Sequence, residues 1–214
     1  MKKILTSVLI AGLMLYCPLL DKPSFMLDIK LIIPTICSLW LLIEQKELNL
    51  KNISKHSATD GYSTILIVFV GMITQAMPLL EWKTQGQTWL CLPTTIWTYL
   101  GSFMLFCGLY LRLKAMHQLK KFFTNEVRVD KDWKLIQTGL YQYVRHPSYT
   151  GAIITMLGTS VLFESWLSLT VSVFLLLAVY LYRIKLEEKL LIAHFGDEYR
   201  AYMKRTWALI PYIF

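Results

Sequence analysis

The sequence predicts an all-α integral membrane protein with about six transmembrane helices, the last two forming a tight hairpin, followed by a cytoplasmic interfacial C-terminal segment. Three observations carry that expectation. Of the 214 residues, 55% are hydrophobic and the mean hydropathy is +0.46, more apolar than a soluble domain of this size usually is. The apolar residues gather into runs long enough to span a bilayer, which takes about 17–25 residues. The lysines and arginines concentrate in alternate connections between those runs.

The chain starts "MKKILTSVLIAGLMLYCPLL". Two lysines before an apolar stretch resemble a signal peptide, but no small-x-small cleavage site follows. Cys17 comes after Leu15-Tyr16, a poor lipoprotein context, so a retained helix is expected over Ile4–Leu20. Further spans are expected over Met26–Ile43, Tyr62–Leu80 and Trp89–Leu111. Asp28 and Lys30 sit near one end of the second, within reach of the interface. A polar stretch from Arg112 to Arg145 separates these four from two more runs, Pro147–Phe163 and Trp166–Tyr182. Only Glu164-Ser165 lies between that last pair, which implies the helical hairpin. The final helix continues into the tail and stops near Gly196, a suitable C-cap. Tyr199, Tyr202, Trp207 and Tyr212 suit a membrane–water interface. The organisation is therefore four spans in 1–111, then loop, hairpin and amphipathic tail in 112–214.

Charge sets the orientation. With the N-terminus inside, 19 of the 22 lysines and arginines fall on the cytoplasmic side, and only Lys22, Lys30 and Lys83 fall outside. That bias predicts a multi-pass protein with both termini cytoplasmic. It also puts the 112–145 stretch and the tail on one side, where the active site is expected. A net charge of +8 would suggest nucleic acid in a soluble protein. Here the basic residues set topology and face anionic headgroups, so membrane lipid is the expected partner and nucleic acid is not. Cys17, Cys37, Cys91 and Cys107 lie inside apolar runs with no ligand-like spacing; they read as packing residues, with no disulfide and no metal. His56, His117 and His194 have no partners at metal spacing, and Glu164 reads as solvated.

Two constellations could carry chemistry. Residues 143–149 read "YVRHPSY". The residue before a proline is pushed out of the α region and proline favours the first helical position, so a helix should begin at Pro147 with His146 near its cap. The amides of Ser148, Tyr149 and Thr150 would then offer an anion site. A plain loop-to-helix junction with a topology-setting Arg145 has the same signature. The second constellation is Arg183 and Glu187, which follow an apolar run at i, i+4 and so share a helix face. They form either a local ion pair or an arginine aimed at another anion. Glu188, about 100° round the helix, points to a different wall or to solvent.

The ordered set "LIQTGLYQYVRHPSYTGAIITMLGT", "YRIKLEEKLLIAHFGDEYRAYMKR" and "IPYIF" resembles the isoprenylcysteine carboxyl methyltransferases, in a prokaryotic-type form. The likeness covers roughly residues 112–214. It lies in G-x-Y before R-H-P-x-Y-x-G, an apolar hairpin, R-x-x-x-E-E, F-G-x-E-Y and a final I-P. The turn "FESW" lacks the Asn-Pro of the eukaryotic members. The resemblance implies a membrane enzyme that uses S-adenosyl-L-methionine, without a Rossmann domain, on a lipophilic methyl acceptor such as an isoprenylcysteine carboxylate. It places Lys134, Leu135, Ile136, Tyr141, His146, Pro147, Ser148 and Tyr149 on the cofactor motif, and Arg183 and Glu187 on the catalytic pair. Either Glu126 or Arg128 would add a cofactor contact. Three other readings share parts of the pattern: a phospholipid, small-amine or thiol methyltransferase, an NADPH-dependent sterol-type reductase, and a small transporter. The transporter fits least, because polar density gathers at the membrane border rather than mid-span.

Overall fold

The protein is described here by a computed structural model, which defines residues 29–44, 62–85, 95–123 and 133–212. These residues form six α-helices: α1 (Ile29–Glu44), α2 (Ser63–Thr84), α3 (Ile96–Leu119), α4 (Pro147–Leu162), α5 (Trp166–Phe195) and α6 (Asp197–Lys204), with short 3₁₀ turns at Lys120–Phe122 and Gly139–Gln142. Three of them, α2, α3 and α5, are long and apolar enough to cross a membrane. The expected first span, Ile4–Leu20, lies outside the described residues, as do Glu126 and Arg128. α4 has 16 residues, about 24 Å at 1.5 Å per residue, and is shorter than those three.

Local chemistry explains where the helices start and stop. α3 begins later than the apolar run because Thr95 and Thr98 form a reciprocal capping box, which satisfies amides that a helix start leaves open. It then runs on through Arg112 and Lys114 to Leu119, so the first eight residues of the expected polar stretch are helical. α5 continues to Phe195 and ends at Gly196 with φ 58°, a left-handed value that glycine adopts without a Cβ penalty. The first amides of α5 are capped from another helix: Glu81 of α2 accepts from Leu167 N at 3.2 Å, Ser168 N at 2.7 Å and Ser168 Oγ at 2.6 Å. A carboxylate is favoured there by the helix dipole as well.

At that same end, Glu164 is only partly solvated. It takes φ 55°, accepts a 2.6 Å hydrogen bond from Thr95 Oγ1 and lies 4.0 Å from the buried Lys30 Nζ. Cys37 is buried, whereas Cys107 is exposed on α3.

The closest packing is between α3 and α4, and small residues permit it. A Cβ on Gly108 would sit 2.6 Å from Thr155 N, and one on Gly151 would sit 2.6 Å from Arg112 N and Gly108 O. Gly101 meets Leu162 and Gly158 meets Leu105 in the same way. The paired positions run in opposite directions, so the two helices are antiparallel, with backbones touching as small-residue seams allow. α2 lies along α5, and α1 packs on α3. The core joins Leu31, Leu79, Trp82, Leu105, Leu109, Leu162 and Phe163 at one end. A second cluster around Tyr180, Leu176 and Ala152 lies between α4 and α5.

Candidate active site

The site forms where α3, α4 and α5 end together with the chain from 133 to 146. Gly139, at φ 64°, turns this chain, and a Cβ there would meet the Gln118 side chain at 2.3 Å. Gln118 instead accepts from Leu140 N at 3.0 Å. Tyr141 is buried and donates to Ala115 O at 3.3 Å, and Tyr202 of α6 donates to Tyr141 O at 2.5 Å. Burial pushes the Tyr202 hydroxyl up to about 12, which keeps it a donor.

Pro147 begins α4 and His146 is its N-cap residue, with φ −125° and ψ 55°, as the proline rule expects. The free amides expected there are mostly engaged: Tyr149 N and Thr150 N bond back to His146 O at 3.0 and 3.2 Å. Side chains, not the helix terminus, make the site polar.

His146 lies between two carboxylates. Its Nδ1 is 3.4 Å from Glu187 Oε2 and its Nε2 is 3.2 Å from Glu188 Oε1. Burial by itself pulls the imidazole down, but the hydrogen bonds and charges of Glu187 and Glu188 outweigh it and raise its pKa. A carboxylate faces each nitrogen, an arrangement that favours the imidazolium form. It stacks on Tyr149, centroids 5.5 Å apart and 2° from parallel. Tyr149 Oη donates to Glu187 Oε1, and Arg183 Nε reaches both Tyr149 Oη and Glu187 Oε1 at 3.2 Å. Arg183 Nη1 donates to Ser63 Oγ and Thr64 Oγ1, each at 2.8 Å.

Arg145 is more than a topology charge. Its Nε binds Glu188 Oε1 at 2.7 Å, and its Nη1 donates to Met203 O and Thr206 O. The backbone joins in: Arg145 N and His146 N donate to Trp207 O and Ala208 O at 2.8 and 3.0 Å. Glu188 therefore faces the same cluster as Glu187. The helical angle between them is real, but the two nitrogens of one ring span it.

Beside this cluster is a cavity enclosing about 880 Å³ of non-atom space, its open mouth included. Lys134, Leu135, Ile136, Tyr141, His146, Ser148, Tyr149 and Glu187 all line it. Pro147 and Arg183 do not: Pro147 starts the helix, and Arg183, 2% exposed, stands one layer behind Tyr149 and Glu187. Phe122, Phe123, Trp133, Leu190, Leu191 and Phe195 make the remaining wall largely apolar and aromatic. The backbone groups of Lys134, Leu135 and Ile136 bond to no described residue, so they are available to a ligand. Sequence reasoning missed Arg112. It is buried, donates through Nη1 to Ser148 O at 3.2 Å, and its Nε has no partner among the described residues.

A family model for the isoprenylcysteine carboxyl methyltransferase (ICMT) family matches residues 100–193. Through this segment the chain is similar to the isoprenylcysteine carboxyl methyltransferases. A protein-S-isoprenylcysteine O-methyltransferase of Saccharomyces cerevisiae is 38% identical over 124 residues, covering 57% of this chain and 52% of the relative. The protein of that name in Schizosaccharomyces pombe is 40% identical over 108 residues, covering 50% and 46%. The chain thus spans about half the length of the curated relatives it matches. A solved structure of a eukaryotic intramembrane Ras methyltransferase of this family, 20% identical, superposes with a TM-score of 0.57 over 96% of this chain and 73% of its own. That likeness extends the fold across the N-terminal helices, which the family match leaves out. The cavity, the His146 cluster and the Arg183–Glu187 pair lie in or beside the family segment.

Proposed function

We propose that this chain is an S-adenosylmethionine-dependent methyltransferase. It works at the border of membrane and cytosol, and its acceptor is the carboxylate of an isoprenylcysteine-like, lipophilic group. In this reading the chain crosses the membrane about six times, with both termini and the cavity cytoplasmic. One observation carries the proposal: eight residues that the family motif assigns to cofactor and chemistry converge on one cavity with apolar, aromatic walls. Arg183 lies 17 residues after Trp166 on α5, about 26 Å along the helix, which supports a cluster near the edge of a ~30 Å hydrocarbon layer.

The residues fit S-adenosylmethionine. The open backbone of Lys134 to Ile136 suits the edge of a polar ring. The imidazolium of His146 suits a carboxylate, and the Tyr149 face and Glu187 suit a cation. When bound, the cofactor supplies an electrophilic methyl group on a sulfonium. The protein supplies alignment and dryness, because a carboxylate acceptor is already ionised and needs no strong base. Arg183 Nε holds both Glu187 Oε1 and Tyr149 Oη, so the cation-facing wall is set before anything binds. Leu190, Leu191 and Phe195 exclude water and offer an apolar surface to a prenyl chain.

The test is labelled methyl transfer by the purified full-length chain in nanodiscs, with an S-farnesylcysteine carboxylate as acceptor. Glu187→Gln and Arg183→Lys should each lower turnover by about 10²–10³ while the protein still inserts. Wild-type turnover in both variants would remove the pair from the mechanism. Binding of NADP with none of S-adenosylhomocysteine would favour a reductase instead.

A further inference from the structure

We propose that the first turn of α2 completes the active site, and that the hydroxyls of Ser63 and Thr64 are positioning groups for Arg183. The proposal rests on the methyl-transfer reading of the cavity. Both residues lie outside the matched segment, residues 100–193, yet each accepts from Arg183 Nη1 at 2.8 Å. All three are buried: Ser63 0%, Thr64 6% and Arg183 2% exposed.

The geometry shows how two hydroxyls from another helix bear on Arg183. An arginine side chain has many rotamers. Glu187, one turn away on α5, and Tyr149 of α4 meet the guanidinium at Nε. Ser63 and Thr64 hold the adjacent Nη1 corner, so the plane is fixed from two sides. Consecutive residues at a helix start point their side chains about 100° apart, so the two hydroxyls meet Nη1 from different directions. Tyr62, the α2 N-cap residue, makes no side-chain capping bond. α2 runs along α5, which brings this turn to Arg183.

Because the hydroxyls act through Arg183, removing them should matter only while Arg183 is present. In the purified full-length chain, the double variant Ser63→Ala/Thr64→Val should lower kcat by about tenfold or more, with KM for donor and acceptor within about twofold of wild type. Added to Arg183→Lys, the same pair should cost no further kcat beyond about twofold. Thr64→Ser, which keeps the hydroxyl, should restore the kcat that Thr64→Val loses. Unchanged kcat in the double variant, or losses that multiply with Arg183→Lys, would overturn the proposal. A second readout needs no turnover: in protein labelled with ¹⁵N-arginine, the Arg183 Nε–H signal, assigned by its loss in Arg183→Lys, should shift and broaden in the double variant. An unmoved signal would overturn the positioning claim. A wild-type chain that methylates no acceptor, with the signal shifted, would sink the methyl-transfer reading while supporting the hold on Arg183.

Discussion

Replacing Gly151 with alanine tests the seam between α3 and α4. The new methyl would lie 2.6 Å from Arg112 N and Gly108 O, where ordinary contact begins at 3.4 Å. Both neighbours are backbone atoms, so no side chain can turn away and the helices must part by about 0.8 Å, from 2.6 to 3.4 Å. Overpacking of this kind costs about 1–3 kcal/mol. The Arg112–Ser148 bond, already 3.2 Å, would stretch past hydrogen-bonding range, a further loss of about 1 kcal/mol. Alanine returns about 1 kcal/mol of helix propensity. The net expectation is a loss of about 1–3 kcal/mol, read by reversible unfolding in mixed micelles with tryptophan fluorescence. Gly71→Ala is the control, because its methyl would meet only the flexible end of Met156 at 3.4 Å; it should be neutral or slightly stabilising. A Gly151→Ala protein as stable as wild type, or two variants that behave alike, would refute the seam.

Two further outcomes follow from the charged cluster. His146 has a raised pKa, so its contribution is complete below the ordinary histidine value of about 6.5 and is lost as pH rises through the raised value. Stability should therefore fall on the alkaline side of that window, and His146→Gln should flatten the profile; an unaltered slope would count against the imidazolium. Arg145→Met should cost about 3 kcal/mol, since it leaves Glu188 largely buried with one partner fewer. It should also speed proteolysis within residues 203–208, and an unchanged cleavage rate would show that Arg145 does not hold the tail.

Much of this architecture was legible in the chain. Pro147 and Gly196 mark helix ends through backbone rules that hold wherever the residue falls, and both did so here. The Arg183–Glu187 pair was visible because i, i+4 spacing guarantees a shared face. What periodicity cannot supply is the partner across a gap. Glu188 read as facing elsewhere because a helical angle does not say that a two-nitrogen ring bridges both carboxylates. Arg145 read as a topology charge because its partners, Glu188 and the carbonyls of Met203 and Thr206, lie 43 to 61 residues away in sequence. Ser63, Thr64 and Arg112 look ordinary in sequence and gain meaning only from α5 and α4. The seven-residue spacing from Gly101 to Gly108, matched from Gly151 to Gly158, was the one available signal of the seam.

The pairing of residues 143–146 with 207–208 bears on how the protein matures. Translation makes the helices and the loop first, and the partners of Arg145 and His146 emerge only with the tail. A nascent chain stalled before Thr206 would hold inserted helices, but the amides of Arg145 and His146 would lack their carbonyl partners. Synthesis through Ala208 then becomes a condition for the pairing that holds residues 143–146 in place.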